Sequence, residues 1–303
     1  MWRRAANVRA NRRERLRRCS VETDFGDGRR AAKSLGMVER LRTVGGVFWQ
    51  HSFLFPRCIA LGFFIVGVSA ELAAQDWRTA SREPAGQAPD PATTPEAVVQ
   101  VYAARAIRWR GYFGVHTWVA VKPAGAPAFT VYELMGYQTR RTGNGVRTSQ
   151  RAADAYWYGN RPHVLADVRG PGAEPLITRL QAAVASYPYA GVYRVWPGPN
   201  SNTFIAHILR AVPELRVDLP ATAIGKDYLG ADVIAITPSG TGVQLNAGGV
   251  LGVSAGWEDG LEFNLLGLSF GVNPKRLGLK LPMLGNVGLI NVTKPRRIPA
   301  EGE

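Results

Sequence analysis

The stretch that decides the fold of this chain is Trp196-Pro197-Gly198-Pro199-Asn200-Ser201-Asn202-Thr203-Phe204-Ile205-Ala206-His207-Ile208-Leu209-Arg210. Its Pro-Gly-Pro sequence interrupts regular structure and sets a tight turn. Asn200 or Ser201 is a good N-cap, and the apolar residues that follow recur at helical spacing. This pattern predicts a buried amphipathic helix that ends at Pro213. Ser201 then lies at a helix N-terminus, which suits a nucleophile or a bound anion. The simpler alternative is that Ser201 only caps the helix.

Upstream of this motif the sequence predicts several strands and one helix. Segments 97–105, 115–122 and 129–135 are rich in β-branched and aromatic residues and are predicted as strands. A Pro/Gly turn at 123–127 makes the last two a hairpin. The other predicted elements are a turn at 109–114, a polar loop at 136–159, a helix at 174–186 and a short strand at 191–196.

The composition changes after Pro220, where glycine and apolar residues dominate. Short strands separated by tight turns at 239–242 and 258–260 are predicted there, with one more strand pair over 278–290. The sequence therefore predicts an α+β fold. An antiparallel sheet packed on helices is expected over 97–228, followed by a Gly-rich extension with β-strands and a tail over 229–303.

The N-terminal part is typical of an exported protein. Residues 1–36 hold 11 Lys/Arg and 4 Asp/Glu, half of the chain's net charge of +14, and are predicted to be a disordered leader. We expect translation to start at Met37. Residues 37–75 combine a positive flank with an apolar run, which predicts a signal peptide or membrane anchor. A Pro-rich linker over 76–96 follows. The expected location is the periplasm, free or anchored.

Composition excludes several classes of site. The two cysteines, Cys19 and Cys58, precede the predicted domain, which excludes a cysteine nucleophile or thiolate metal site within it. The basic charge is concentrated in the leader, and no nucleic-acid-binding module is present, so no nucleic-acid partner is expected. Scattered histidines without a paired carboxylate motif predict no metal and no cofactor.

His116 is the candidate general base. It interrupts an apolar, aromatic strand, and a symmetric hairpin would place it opposite Leu134 and beside Glu133 or Met135. A histidine on a strand and the nucleophile Ser201 at a helix start are two parts of a hydrolytic site, with Glu133 as the orienting group. The alternative is that His116 is a hydrogen-bonded residue of the sheet.

Further residues complete this predicted site. Asn200 or the backbone N–H of Asn202 is a candidate oxyanion donor. Trp118, Trp196 and Tyr132 are predicted to line the groove around the nucleophile. If the helix packs across the sheet, Ser201 should come within hydrogen-bond reach of His116, about 3 Å.

A family resemblance is visible at these residues. It is carried by His116-Thr117-Trp118, Trp157-Tyr158-Gly159-Asn160, Tyr187-Pro188-Tyr189, Trp196 to Phe204 and Ile224-Gly225-Lys226-Asp227. Together they resemble an uncharacterised family of bacterial exported proteins, a domain of unknown function, over about Val99 to Leu284. The family's function is not known, so the resemblance identifies relatives and not an activity.

The chain is also distantly similar to the permuted papain-like superfamily. That group includes NlpC-like cell-wall amidases, lecithin retinol acyltransferase relatives and desumoylating isopeptidases, with an early strand histidine and a later Asn-Cys-x-x-Phe at a helix start. This resemblance implies a permuted papain-like sheet and helices. Here Asn200 to Phe204 has Ser201 in the cysteine position. Serine lacks the low pKa of such a thiol, and an unassisted hydroxyl is a weak nucleophile.

Two functions therefore stay open. In the first, the protein is an envelope hydrolase or acyltransferase that acts on an amide or ester bond through Ser201, His116 and Glu133. Its substrate would be an envelope peptide, lipid or cell-wall component. In the second, it is a catalytically inactive binding domain or a membrane-associated structural domain. The apolar, Gly-rich C-terminal part favours membrane association in either case.

Overall fold

The computed structural model describes residues 76–289 and 294–299, which contain two β-sheets and four helices. The α+β class with antiparallel sheets is therefore confirmed. The predictions for the leader 1–36 and for the signal or anchor 37–75, with Cys19 and Cys58, lie outside the described residues. Within the described part, no helix is both long and apolar enough to span a bilayer.

The first sheet has six strands in the order β13-β5-β1-β2-β3-β4. They are β1 (Val98–Arg105), β2 (Val115–Lys122), β3 (Thr130–Leu134), β4 (Val146–Gln150), β5 (His163–Arg169) and β13 (Arg296–Arg297). Neighbouring strands are antiparallel except β13, which runs parallel to β5. The predicted strands at 97–105, 115–122 and 129–135 are thus confirmed, because their β-branched and aromatic residues fit a pleated, buried surface.

Two of the helices cover one face of this sheet. The helices are α1 (Arg110–Phe113), α2 (Gly136–Thr142), α3 (Ala173–Ala185) and α4 (Ser201–Ala211). Leu180 of α3 and Ile205 of α4 belong to the same buried cluster as Val99 and Val119 of the sheet. Helix α4 matches the prediction, and it ends before Pro213, which begins a short 3-10 turn.

The opposite face of the first sheet is also buried. The rings of Tyr102 and Trp118 stack there with centroids 5.5 Å apart. The indole Nε1 of Trp118 donates to the carbonyl of Ala153 at 2.7 Å. A β-bridge between Pro84 and Ala155 joins the predicted linker to this loop. Because both faces are covered, nearly every residue of β2 is buried.

The second sheet is a seven-stranded antiparallel meander in the order β12-β11-β10-β9-β8-β7-β6. Its strands are β6 (Ile234–Ile236), β7 (Gly242–Ala247), β8 (Leu251–Gly256), β9 (Gly260–Leu265), β10 (Leu268–Asn273), β11 (Gly278–Leu281) and β12 (Gly285–Gly288). The predicted Gly-punctuated strands are therefore confirmed. Gly242 shows one reason for the glycines, since a Cβ there would lie 2.1 Å from the carbonyl oxygen of Ala255 on β8.

Four local predictions are corrected. The polar loop at 136–159 contains α2 and β4, and the turn at 109–114 contains α1. Segment 191–196 is irregular, because its backbone groups bond to the adjoining loop: the Arg194 N–H donates to Pro199 O at 2.8 Å. The hairpin register differs by one residue from the symmetric expectation, since Val119 pairs with Tyr132.

Candidate functional site

Asn200 fixes the start of α4. Its Oδ1 accepts from the backbone N–H groups of Asn202 at 2.9 Å and Thr203 at 3.3 Å, while the Thr203 hydroxyl accepts from the Asn200 N–H. This reciprocal capping box satisfies N–H groups that a helix start leaves free. The Asn200 Nδ2 donates to the carbonyls of Val195 and Ile224. The buried amide is fully occupied by structural bonds.

Asn202 ties the helix to the first sheet. Its Nδ2 donates to Val115 O at 3.1 Å and to Ile224 O at 2.8 Å, and its Oδ1 accepts from the Thr117 hydroxyl at 2.9 Å. Asn200 and Asn202 therefore hold together α4, β2 and the loop at 224–225. Asn200 or the backbone N–H of Asn202 was predicted to donate to an oxyanion. In the structure the Asn200 Nδ2 donates to backbone carbonyls, and the Asn202 N–H donates to the Asn200 Oδ1.

Ser201 is buried at the same junction, with 3% of its surface exposed. Burial raises the pKa of the neighbouring Tyr193, although Ser201 acts in the opposite direction. The Tyr193 ring packs on Gly136, where a Cβ would lie 2.7 Å from it. Sequence reasoning missed Tyr193, which carried no signal beyond its position in a predicted strand.

His116 lies in a different environment, bonded to Glu133. Its Nε2 is 3.1 Å from the Glu133 Oε2, and its ring stacks on Trp157 at 3.7 Å between centroids. Burial lowers the pKa of His116, and the effect outweighs the opposing influence of Glu133. Burial would raise the pKa of Glu133, but its bond to His116 and the charges around it lower that pKa. The two side chains therefore form a buried, electrostatically coupled pair.

Arginines from the predicted polar loop complete this cluster. Arg151 and Arg147 approach the Glu133 Oε1 at 3.6 Å and 4.0 Å. Neither was assigned to the site from the sequence, although the run of arginines in 136–159 was the available signal. Together they give Glu133 two cationic neighbours in a buried position.

The structure places His116 and Ser201 on opposite faces of the first sheet. Thr117, next to His116 in β2, faces α4 and donates to the Ser201 carbonyl at 3.3 Å. Successive side chains of a strand point to opposite faces. His116 therefore points away from α4, toward Trp118 and Trp157. The structure brings His116 and Glu133 together, but it does not bring the imidazole to the Ser201 hydroxyl.

The expected groove residues are also separated. Trp118 is fully buried on the His116 face, whereas Tyr132 belongs to the cluster under the helices and accepts a bond from Gln181 at 3.2 Å. Trp196 is about half exposed, and its Nε1 donates to Leu266 O in the second sheet at 2.8 Å. The three rings line no common groove.

The second sheet carries two contrasting faces. Its inner face is polar and buried, and the residues on it are Gln244, Asn246, Glu262, Asn264, Ser269, Asn273 and Lys280. Its outer face is apolar, with exposed side chains of Ile234, Ile236, Val243, Leu245, Leu251, Leu261, Phe263, Leu265, Phe270, Val272, Leu279 and Val287. Antiparallel sheets of water-soluble proteins usually show the reverse arrangement.

An ionic network occupies the inner face. Lys226 bonds to Glu262 and to Asp227, and Lys280 bonds to Glu262 at 2.8 Å and to Asp218. The carboxylates of Asp218 and Asp227 also accept from asparagine side chains of the sheet. Every charge in this network has a partner, as burial requires. Within residues 76–289 and 294–299, no group of three His, Cys, Asp or Glu side chains is arranged to hold a metal ion.

Residues 96–228 match the model of a family described as Protein of unknown function (DUF3750). The expected resemblance to an uncharacterised domain of unknown function is therefore confirmed over this range. No curated protein and no solved structure matches the chain, so the similarity to papain-like proteins stays a prediction.

Proposed function

We propose that the protein is a catalytically silent, exported envelope protein that docks on a lipid membrane through the outer face of its second sheet. The observation that carries this proposal is the composition of that face. Every outward position of its strands holds an aliphatic residue, phenylalanine or glycine, and many of these side chains are exposed. Export itself rests on the predicted signal or anchor at 37–75.

The outer face is extensive enough for a membrane to hold the protein. Seven strands of at most six residues give a projected area of about 500 Å². Covering about 500 Å² of apolar surface is worth about 12 kcal/mol.

The chemistry of the face points the same way. Protein interfaces carry about one hydrogen bond per 100–200 Å², which requires polar groups among the apolar ones. The strand positions of this face offer no polar side chain among the described residues. Acyl chains form no hydrogen bonds, so they can cover such a surface without any polar group losing a partner.

Exposed tryptophans stand at both ends of β9. Trp257 is 72% exposed in the turn before the strand, and Trp196 bonds to the turn after it. Tryptophan favours the boundary between acyl chains and water, since its ring is apolar and its N–H is polar. This placement supports docking with the strands lying along the bilayer surface.

Catalytic silence is supported by the arrangement at α4. A serine nucleophile needs a base within hydrogen-bond reach. The base proposed for Ser201 lies on the other face of the sheet, and the flanking amides of Asn200 and Asn202 are occupied by structural bonds. The Trp196–Phe204 motif therefore serves best as a junction between α4, β2 and the loop at 224–225.

The test places a fluorescent probe on the outer face of the full-length protein. Cys19 and Cys58 are changed to serine, and Leu265→Cys is labelled with a nitrobenzoxadiazole dye. Val192→Cys, at an exposed apolar position outside the second sheet, is the matched control. With phosphatidylcholine vesicles that carry an acyl-chain spin label, we expect strong quenching at 265 and little at 192.

Equal quenching at the two positions, or no association with vesicles, would contradict membrane docking by this face. A separate measurement tests catalytic silence. We expect no difference in fluorophosphonate labelling between the native protein and Ser201→Ala. Labelling that depends on Ser201 would contradict catalytic silence and favour the hydrolase function instead.

A further inference from the structure

A cleft of about 320 Å³ lies between the edge of the first sheet and the second half of the chain. Its walls come from β5, the turn at 215–216, the segment at 275–276 and the C-terminal strand β13. The lining residues are Leu165, Ala166, Asp167, Val168, Leu215, Arg216, Glu258, Lys275, Arg276, Lys294 and Arg296. This volume is at the lower end of the range for small-molecule sites.

Positive charge dominates the cleft after internal pairs are accounted for. Lys275 is neutralised by Glu258. Asp167 accepts from the Nε and Nη2 of Arg169, which lies outside the lining. Four cations remain, and they are Arg216, Arg276, Lys294 and Arg296. Across the described residues no salt bridge joins any of these four to a carboxylate.

Arg216 and Arg296 are close enough to influence one another. Burial lowers the pKa of Arg296 and the charge of Arg216 lowers it further, while the charges of Glu258 and Glu214 act in the opposite direction. Like charges gathered in one cleft repel one another, and a bound anion reduces that repulsion. The side chains of Arg216 and Lys294 are also exposed, so a ligand from solvent can reach them.

We propose that this cleft binds the phosphate group of an anionic ligand. Three guanidinium groups favour phosphate, because their planar N–H pairs match its oxygen atoms in bidentate fashion. Leu165 and Leu215 add an apolar wall, which suits a phosphate ester with a short carbon portion. The proposal goes beyond membrane docking and does not depend on it, because the phosphate belongs either to a lipid headgroup or to a soluble ester.

The first experiment measures binding of soluble phosphate compounds. Glycerol 3-phosphate and pyrophosphate are titrated into the full-length protein by isothermal calorimetry. We expect saturable binding that weakens with added salt and falls at least tenfold in Arg216→Gln/Arg276→Gln. The control is Arg140→Gln/Arg141→Gln on α2, which changes the same charge at exposed positions outside the cleft. Unchanged far-UV circular dichroism verifies that both variants fold.

The second experiment distinguishes the two sources of phosphate. Flotation is compared on vesicles of phosphatidylcholine alone and on vesicles with added phosphatidylglycerol. If phosphatidylglycerol increases flotation of the α2 variant but not of the cleft variant, the ligand is a lipid headgroup. If phosphatidylglycerol increases flotation of both variants equally, and the cleft variant loses calorimetric binding, the ligand is a soluble ester. The proposal is overturned if neither signal depends on the cleft arginines. Quenching at position 265 is measured separately in neutral vesicles. Failure of phosphate binding and failure of membrane docking are therefore distinguishable.

Discussion

Replacing Glu262 by glutamine should destabilise the protein by about 3 to 5 kcal/mol. Glu262 is almost fully buried on the inner face of the second sheet and accepts bonds from both Lys226 and Lys280. Glutamine has nearly the same shape, so packing is preserved and only charge is removed. The new amide would direct N–H donors toward a lysine that has no acceptor capacity. Each lysine would then retain a single carboxylate partner in a buried position.

The pH dependence gives an independent measure of the same interaction. Burial alone would raise the pKa of Glu262, but the charges of Lys226 and Lys280 lower it to about 2. A carboxylate with a lowered folded pKa stabilises the protein above its unfolded pKa and loses that contribution as pH falls toward the folded pKa. The stability difference between wild type and Glu262→Gln should therefore be full near pH 7 and shrink between pH 4.5 and about 2.

Urea denaturation followed by circular dichroism measures both effects. Glu214→Gln is the matched control, since Glu214 pairs with Arg179 at the surface with both side chains more than 40% exposed. Such a pair is worth at most about 1 kcal/mol. The reasoning is refuted if Glu262→Gln costs no more than Glu214→Gln, or if its cost does not change between pH 7 and pH 3.

Two further substitutions test the buried clusters of the first sheet. Asn200→Ala should destabilise the protein by about 2 to 3 kcal/mol in urea denaturation, because it removes the cap of α4 and two bonds to buried carbonyls. A cost equal to that of Ser201→Ala would contradict this role. Glu133→Gln should lower the pKa of His116 further, since the carboxylate now opposes the effect of burial. Histidine titration by NMR measures this, and an unchanged or raised pKa would show that the pair is not coupled in solution.

The elements around the Trp196–Phe204 motif could be predicted because their signals are local. Asn200 caps the helix two and three residues ahead of it, and the apolar spacing that follows defines the buried side of α4. Strands β1 and β2 are likewise encoded by runs of β-branched and aromatic residues. The prediction of a strand over 191–196 is wrong for the opposite reason. The composition of this segment suits a strand, but its backbone partners are supplied by the loop around Pro199 and Asn200.

The relation between His116 and Ser201 could not be predicted from the sequence. Alternation along a strand separates two faces, but it identifies the helix-facing one only when the other face is polar. In β2 both faces are buried, so the pattern left the choice open. Helix α4 contacts Thr117. Because His116 is the adjacent residue of the strand, its side chain lies on the face of the sheet away from α4. That outcome depends on packing between segments more than 80 residues apart, as in the bond from Thr117 to Ser201.

The second sheet shows how a correct local prediction can hide an inverted arrangement. Leu261-Glu262-Phe263-Asn264-Leu265 alternates as a half-buried strand should, and β9 forms there. Ordinary alternation implies that the leucines and phenylalanine face the interior. The polar side chains face inward instead, because Asp227 and Lys226 from the preceding loop provide partners for Asn264 and Glu262. Those partners lie more than 30 residues away.

This inversion changes what holds the second sheet in place. An apolar face that stays exposed in the folded state contributes little to folding in water, because water contacts it before and after folding. Attachment of the sheet must then come from strand pairing and from the charges on its inner face. Buried ion pairs add little net stability compared with apolar packing, yet they are strongly directional. We infer that the network around Glu262 sets the orientation of the sheet with its apolar face turned outward, which is the orientation that the proposed membrane docking requires.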